Sequence, residues 1–208
     1  MSVDSVIARI AELDQALVRR SPAAPATTTS FATTLGAAQS TLPAGVTGQA
    51  VPVGWSGGTA GAGQRALQFA QAEVGQTEQP PGSNDSPRIA QYRTATAGSG
   101  VGPWCAYFVS WAAQQAGVPL GESGQGFGSV SALAGWAQRT GRWNAAAGSG
   151  VPPQAGDLIV WGGEHIGIVE SVGPDGSINA IEGSSSNMVT RRTHGPGGDG
   201  ATGFVRLG

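Results

Sequence analysis

Apolar residues repeat with helical spacing through the middle of the chain. Leu67, Ala70 and Val74 recur at intervals of three and four, the spacing of one face of an α-helix. No Gly or Pro interrupts residues 106–116, and Gly117 then supplies a stop signal. The pattern predicts four helices, over residues 64–74, around 87–92, from Cys105 to about 116, and over 129–139.

Beyond Pro153 the pattern changes to alternating or continuous apolar runs separated by turn residues, which is typical of β-strands. The turn from Gly173 to Gly176 joins two of these runs into a predicted hairpin. Helices followed by consecutive strands indicate an α+β domain with an antiparallel sheet. The five predicted strands cover residues 157–161, 166–172, 177–181, 188–192 and 204–207.

The residues before this region have two different compositions. Apolar residues repeat at three and four from Val3 to Arg20, which predicts a short amphipathic helix in residues 1–20 with a neutral polar face. Such a helix is marginal alone, and three roles stay open: an arm without a function, self-association, or docking onto a protein partner. Residues 21–60 are uncharged and rich in Ala, Thr, Pro and Gly, which predicts a flexible, disordered linker. The folded domain is therefore expected over residues 61–208.

Charge and cysteine content narrow the classes of partner. Eleven scattered basic residues, all Arg, and 13 acidic residues give a net charge of -2, so binding to nucleic acid or an acidic membrane is not expected. No apolar run approaches the roughly 18 residues of a membrane span. The N-terminus has no basic segment followed by an apolar core, so no secretory signal is expected. The single cysteine excludes an internal disulfide.

That cysteine, Cys105, is the candidate nucleophile. It is expected at the N-terminus of its helix, where unpaired backbone N–H groups and the helix dipole favour a thiolate and can hold an oxyanion. The alternative is a small buried hydrophobe, which is how a free cysteine usually behaves.

A cysteine nucleophile needs a base, and the chain has only two histidines. His165 opens a predicted buried strand, where a rigid backbone can aim the ring. His194 lies beside a run of glycines that is expected to hold it loosely. We therefore expect His165 to be the base. A hydrogen-bonded histidine at a strand end is its alternative role.

The base in turn needs an acidic group to orient it. Glu182 closes the neighbouring strand of the hairpin and is therefore the expected partner of His165. Glu164 is expected to point the opposite way in extended chain, and Glu170 lies far along the same strand. Asp157 is expected to pin the turn that opens the sheet.

Three motifs in order resemble the CHAP family of cysteine- and histidine-dependent amidohydrolases and peptidases, papain-like relatives of the NlpC/P60 wall hydrolases. They are PWCAYFVSW, then AGDLIVWGGEHIGIVESV, then IEGSSSNMV, and GQTEQPPGSND precedes them. The resemblance covers roughly residues 61–208. It implies a helical half with the nucleophile, packed on an antiparallel sheet with the base. Carried over by motif, Cys105 is the nucleophile, His165 the base and Glu182 the orienting group.

The resemblance also implies the reaction, hydrolysis of amide bonds in the peptide part of peptidoglycan by an N-acetylmuramoyl-L-alanine amidase or an endopeptidase. No cofactor is expected. Some phage members carry an acidic calcium loop before the cysteine, but residues 95–104 contain no carboxylate, so no metal site is expected.

Two further groups of residues are candidates for the site. Family members often have Asn two residues after the Glu, where this chain has Ser184, so Ser184 or Asn187 is expected to supply that polar contact. Trp104, Trp161 and the loop over 122–128 are candidates for lining the substrate cleft. Core packing is the alternative for the two tryptophans.

Two other functions stay open. One is a non-hydrolytic module for cell-wall binding or assembly, flagella-associated among the options, in which the N-terminal helix does the specific work. The other is an intracellular amide hydrolase or transferase with a small substrate. A wall hydrolase acts in the bacterial wall, in the periplasm or outside the cell. Phage-type release, flagellar-type export or a misplaced start codon would reconcile that location with the missing signal.

Overall fold

The computed structural model describes residues 61–98 and 100–208, and these contain helices first and strands afterwards. The α+β prediction is thereby confirmed. The helices are α1 (Ala62–Ala72), α2 (Pro87–Arg93), α3 (Cys105–Gln115) and α4 (Val130–Arg139). The strands are β1 (Trp143–Ala145), β2 (Leu158–Trp161), β3 (His165–Val172), β4 (Ile178–Ser185), β5 (Met188–His194) and β6 (Gly203–Val205). The predicted amphipathic helix in residues 1–20 and linker over 21–60 lie outside the described residues.

The helix boundaries follow local chemistry. Ser86 and Ser129 cap α2 and α4 by accepting hydrogen bonds from backbone N–H groups three residues on. Gly117, with φ of 77°, takes the left-handed conformation just after α3, where a side chain would be strained. Among the described residues, no helix has the length and apolar character needed to cross a bilayer.

The strands form one antiparallel sheet in the order β1-β6-β2-β3-β4-β5. Strands β2 to β5 are consecutive neighbours, and β3 and β4 form the predicted hairpin. Strand β6 returns to lie between β1 and β2. The sequence pattern missed β1, because three half-buried residues are too few to show a period.

The helices cover one face of the sheet, where the main core forms. Helix α3 is buried along most of its length, as predicted, and Phe108 and Val109 are fully buried. The sheet contributes alternate residues to this core, among them Leu158, Val160, Ile166, Ile168 and Ile181. A smaller apolar cluster of Ile159, Val169, Ile178, Ala180 and Phe204 lies on the opposite face.

The glycine-rich segment after β5 covers that second face. A Cβ atom on Gly198 would lie 2.8 Å from the Ile159 side chain, so the backbone packs directly on the apolar cluster. The Gly198 carbonyl accepts a hydrogen bond from the Trp161 indole at 2.7 Å. The segment is therefore fastened to the sheet.

Asp157 fixes the turn that leads into β2, as predicted. Its carboxylate accepts a hydrogen bond from the Gln154 backbone N–H at 3.0 Å. It also accepts two hydrogen bonds from the Arg206 guanidinium, at 3.1 and 2.9 Å. Arg206 follows β6, so this ion pair joins the start of β2 to the C-terminal segment.

Candidate active site

Cys105 is the first residue of α3, which is where the sequence predicted the helix to begin. Trp104, the N-cap residue, makes no capping hydrogen bond with its side chain, and the first turn contains no acidic residue. The first backbone N–H groups of the helix therefore have neither an intrahelical partner nor a side-chain cap. Cys105 is 4% exposed, and its Sγ lies 4.0 Å from the Glu164 carbonyl oxygen.

Two glycines allow close contacts at the candidate site, one between α3 and the sheet and one between β3 and the Glu182 side chain. A Cβ atom on Gly183 would lie 2.8 Å from Phe108, so α3 rests on the β4 backbone at this residue. Gly167 lies opposite Glu182 in the β3–β4 register, and a Cβ atom there would lie 2.9 Å from the Glu182 side chain. The missing side chain at Gly167 leaves room for Glu182 to lie across β3.

Glu182 uses that room to reach His165. His165 is the first residue of β3, and its Nε2 lies 2.9 Å from Glu182 Oε2. The same ring also interacts with the Cys105 thiol. The structure thus brings together Cys105, His165 and Glu182, in that order.

The surroundings change the acidity of this group of side chains. Burial lowers the pKa of His165, but contacts with Cys105 and Glu182 outweigh it and raise the pKa from 6.5 to about 9. Burial raises the pKa of Glu182, but hydrogen bonds from His165 and His194 outweigh it and hold that pKa below 4.5. The arrangement therefore favours an imidazolium beside a carboxylate.

His194 lies in this site, and the prediction that its glycine-rich surroundings would hold it loosely is wrong. Strand β5 extends to His194, which pairs with Ile178 of β4. The His194 Nε2 lies 2.7 Å from Glu182 Oε1, and its side chain is 15% exposed. The signal was present in the sequence, because the alternation of β5 places His194 on the same sheet face as Glu182.

The two tryptophans have different places. Trp161 is partly buried beside both imidazoles, with ring centroids 5.6 Å from His165 and 4.7 Å from His194. Trp104 does not line a cleft, because its side chain is fully buried in the core. Its indole N–H donates to Glu78 at 2.9 Å, and its ring stacks on Tyr92.

In the part of the chain described, the side chains of Ser184 and Asn187 make no hydrogen bond to Cys105, His165 or Glu182, so the polar contact expected from them is not seen. Ser184 has φ of 59° at the irregularity between Glu182 and Ser185. Asn187 has φ of 62° in the two-residue turn between β4 and β5, a conformation that Asn tolerates well. The second oxygen of Glu182 is instead bound by His194.

Glu170, which also lies on β3, has another partner. The Glu170 carboxylate accepts hydrogen bonds from Arg191 at 3.0 and 2.9 Å. In the described ranges, 61–98 and 100–208, no group of three or more His, Cys, Asp or Glu residues is arranged to hold a metal ion.

Part of the described chain matches a known family. The family model of the CHAP domain matches residues 96–184, a range that includes Cys105, His165 and Glu182. This part of the chain is therefore similar to the CHAP domain. Comparison with curated proteins and with solved structures gives no significant match. CHAP domains are typically hydrolases, and the match suggests an amidase or peptidase role related to peptidoglycan.

Proposed function

We propose that this domain hydrolyses amide bonds in the peptide part of peptidoglycan through a thioester on Cys105. The observation that carries the proposal is the 2.9 Å hydrogen bond between His165 and the buried Glu182 carboxylate, on a ring that also interacts with the Cys105 thiol. A cysteine nucleophile requires such a base and such an orienting group. The enzyme is then an N-acetylmuramoyl-L-alanine amidase or an endopeptidase.

In the first half of the reaction, His165 takes the Cys105 proton on Nδ1 and the thiolate attacks the amide carbonyl carbon. The negative charge that develops on the carbonyl oxygen is stabilised by free N–H groups at the start of α3, including that of Cys105. The tetrahedral intermediate collapses when the C–N bond breaks and the imidazolium gives its proton to the leaving amine. The products of this half are a free amine and a thioester.

In the second half, neutral His165 accepts a proton from water as the water oxygen attacks the thioester carbonyl. The C–S bond breaks, the carboxylic acid leaves, and the proton returns to the Cys105 sulfur. Glu182 keeps the ring in one orientation and stabilises its charged form throughout. It makes no bond to the substrate.

The buried carboxylate of Glu182 favours the hydrolytic function over the non-hydrolytic one. Glu182 is 2% exposed, and burial of a carboxylate destabilises the folded state. Binding to the wall does not by itself require such a buried carboxylate. A carboxylate placed to hold an imidazole beside a thiol is typical of a catalytic site.

The proposed place of action is the cell wall, the periplasm or the exterior, reached by phage-type or flagellar-type release. A protein partner bound through residues 1–20 remains a prediction.

The test is digestion of purified peptidoglycan, followed by mass spectrometry of the released fragments. We expect the wild-type chain to release fragments with one new amine and one new carboxylate per cut, and Cys105→Ala to release none. Peptides freed from muramic acid would identify an amidase, and cuts within the peptide an endopeptidase. Release of the same fragments by Cys105→Ala would contradict the proposal. Binding without release by the wild type would favour the non-hydrolytic module.

A further inference from the structure

The Glu182 carboxylate lies between two imidazoles, and the mechanism above uses only one of them. Oε2 binds His165 at 2.9 Å, and Oε1 binds His194 at 2.7 Å. Arg192 also faces the carboxylate, with its Nε 3.8 Å from Oε2. Both oxygens of a nearly inaccessible carboxylate are therefore occupied, one by the predicted base and one by a residue outside the motifs.

His194 is itself held from several sides. Its backbone pairs with Ile178 in the β4–β5 ladder. Its ring packs on Trp161, and its Nδ1 lies 3.5 Å from the Asp199 carboxylate. Trp161 is in turn fixed by the hydrogen bond of its indole to Gly198. The ring therefore presents its Nε2 to Glu182 in a fixed position.

We propose that His194 is a positioning residue, which donates a hydrogen bond to Oε1 of Glu182 and so fixes the carboxylate that orients His165. Because Glu182 is buried, loss of this donor would leave one of its oxygens without a partner. The carboxylate would then turn or gain a proton more readily, and its support of the His165 imidazolium would weaken. This inference rests on the proposed function for its effect on turnover, but its effect on the thiol can be measured without a substrate.

Two substitutions separate the hydrogen bond from the packing of the ring. His194→Phe retains an aromatic ring against Trp161 but has no N–H group. His194→Gln loses the ring but can donate from its amide to Glu182. A purely structural role would make Phe the milder change, whereas the positioning role makes Gln the milder one.

The first measurement is the rate of alkylation by iodoacetamide in the full-length chain, followed by intact mass from about pH 4 to about pH 9. Cys105 is the only cysteine, so the signal has one source. For His194→Phe we expect the rise in rate to move to higher pH, because the weakened imidazolium stabilises the thiolate less. For His194→Gln we expect a profile close to the wild type. A wild-type profile for His194→Phe, or an equal displacement in both variants, would overturn the proposal.

The second measurement is the hydrolysis of peptidoglycan fragments by the same proteins. We expect His194→Phe to lower kcat about 10- to 100-fold with little change in KM, since His194 acts through Glu182. His194→Gln should recover most of the lost kcat. A rise in KM with unchanged kcat would contradict the positioning role. If the wild type hydrolyses nothing, the proposed function fails, and the alkylation profiles still decide the role of His194.

Discussion

At the scale of single residues, Gly167 controls whether the orienting carboxylate can reach the base. Gly167→Ala would place a Cβ atom 2.9 Å from the Glu182 side chain, closer than such contacts normally come. We expect the carboxylate to be displaced from His165 and peptidoglycan hydrolysis to fall at least about tenfold. Gly100→Ala is the matched control, because no atom lies within 4 Å of the added carbon. Equal rates for both variants, measured by fragment release, would contradict this reading of Gly167.

The raised pKa of His165 has a consequence for stability. The folded-state pKa of about 9 exceeds the ordinary 6.5, so protonation favours the folded state. That contribution is fully present below pH 6.5 and is lost as the pH rises through about 9. Over this interval, we expect the free energy of unfolding of the wild type to fall by on the order of 1–2 kcal/mol more than that of His165→Gln, after allowance for solvent screening. Urea unfolding at several pH values measures this, and parallel curves for the two proteins would refute it.

The sequence carried enough information for the three proposed catalytic residues but not for their neighbours. A lone cysteine at a helix start and a histidine at a strand start have local signals, and Glu182 follows from hairpin pairing. The position of His194 depends on how far β5 continues and on the segment that folds back over it. The burial of Trp104 depends on Glu78, which lies 26 residues earlier and accepts a hydrogen bond from the indole N–H. Such distant packing leaves no local pattern.

At the scale of elements, the contact between α3 and β4 sets the position of the nucleophile. Gly183→Ala would bring a Cβ atom within 2.8 Å of Phe108 and 2.9 Å of Trp104, and both side chains are fully buried. We expect the free energy of unfolding to fall by about 1–3 kcal/mol, as for other overpacked cores. Gly102→Ala, which adds its carbon in open space, should change the free energy much less. Denaturant unfolding compares the two variants. Equal free energies of unfolding would contradict the tight contact between α3 and β4 at Gly183.

Element types were predictable because α3 and the strands after Pro153 have long periodic patterns. The bounds moved where backbone pairing extends beyond the apolar run. Strand β4 continues to Ser185, where the tight turn keeps it paired with Met188, and β5 continues to His194, which pairs with Ile178 at the start of β4. Polar residues in a paired strand have no hydrophobic signature, so the periodicity ended earlier than the strands.

At the scale of the whole molecule, the ion pair of Asp157 and Arg206 ties the C-terminal segment to the start of β2. The Asp157 side chain is 2% exposed and that of Arg206 33%. Asp157→Asn would leave a half-buried guanidinium without its counter-charge, and we expect the free energy of unfolding to fall by about 2–4 kcal/mol. The control is Arg139→Gln, which breaks the exposed pair with Glu122 and should leave stability unchanged within error. Thermal unfolding distinguishes the outcomes, and equal melting temperatures for both variants would contradict the structural role of Asp157.

The central claim is that the sulfur of Cys105 forms a covalent acyl intermediate with a peptidoglycan peptide. The most direct measurement is the intact mass of the full-length protein, quenched in acid during turnover of soluble peptidoglycan fragments. We predict an adduct with the mass of the carboxylic acid product minus water, located on Cys105 by peptide mapping and absent in Cys105→Ser. Fragment release by the wild type, with no adduct under any quench time and undiminished release by Cys105→Ser, would contradict the claim.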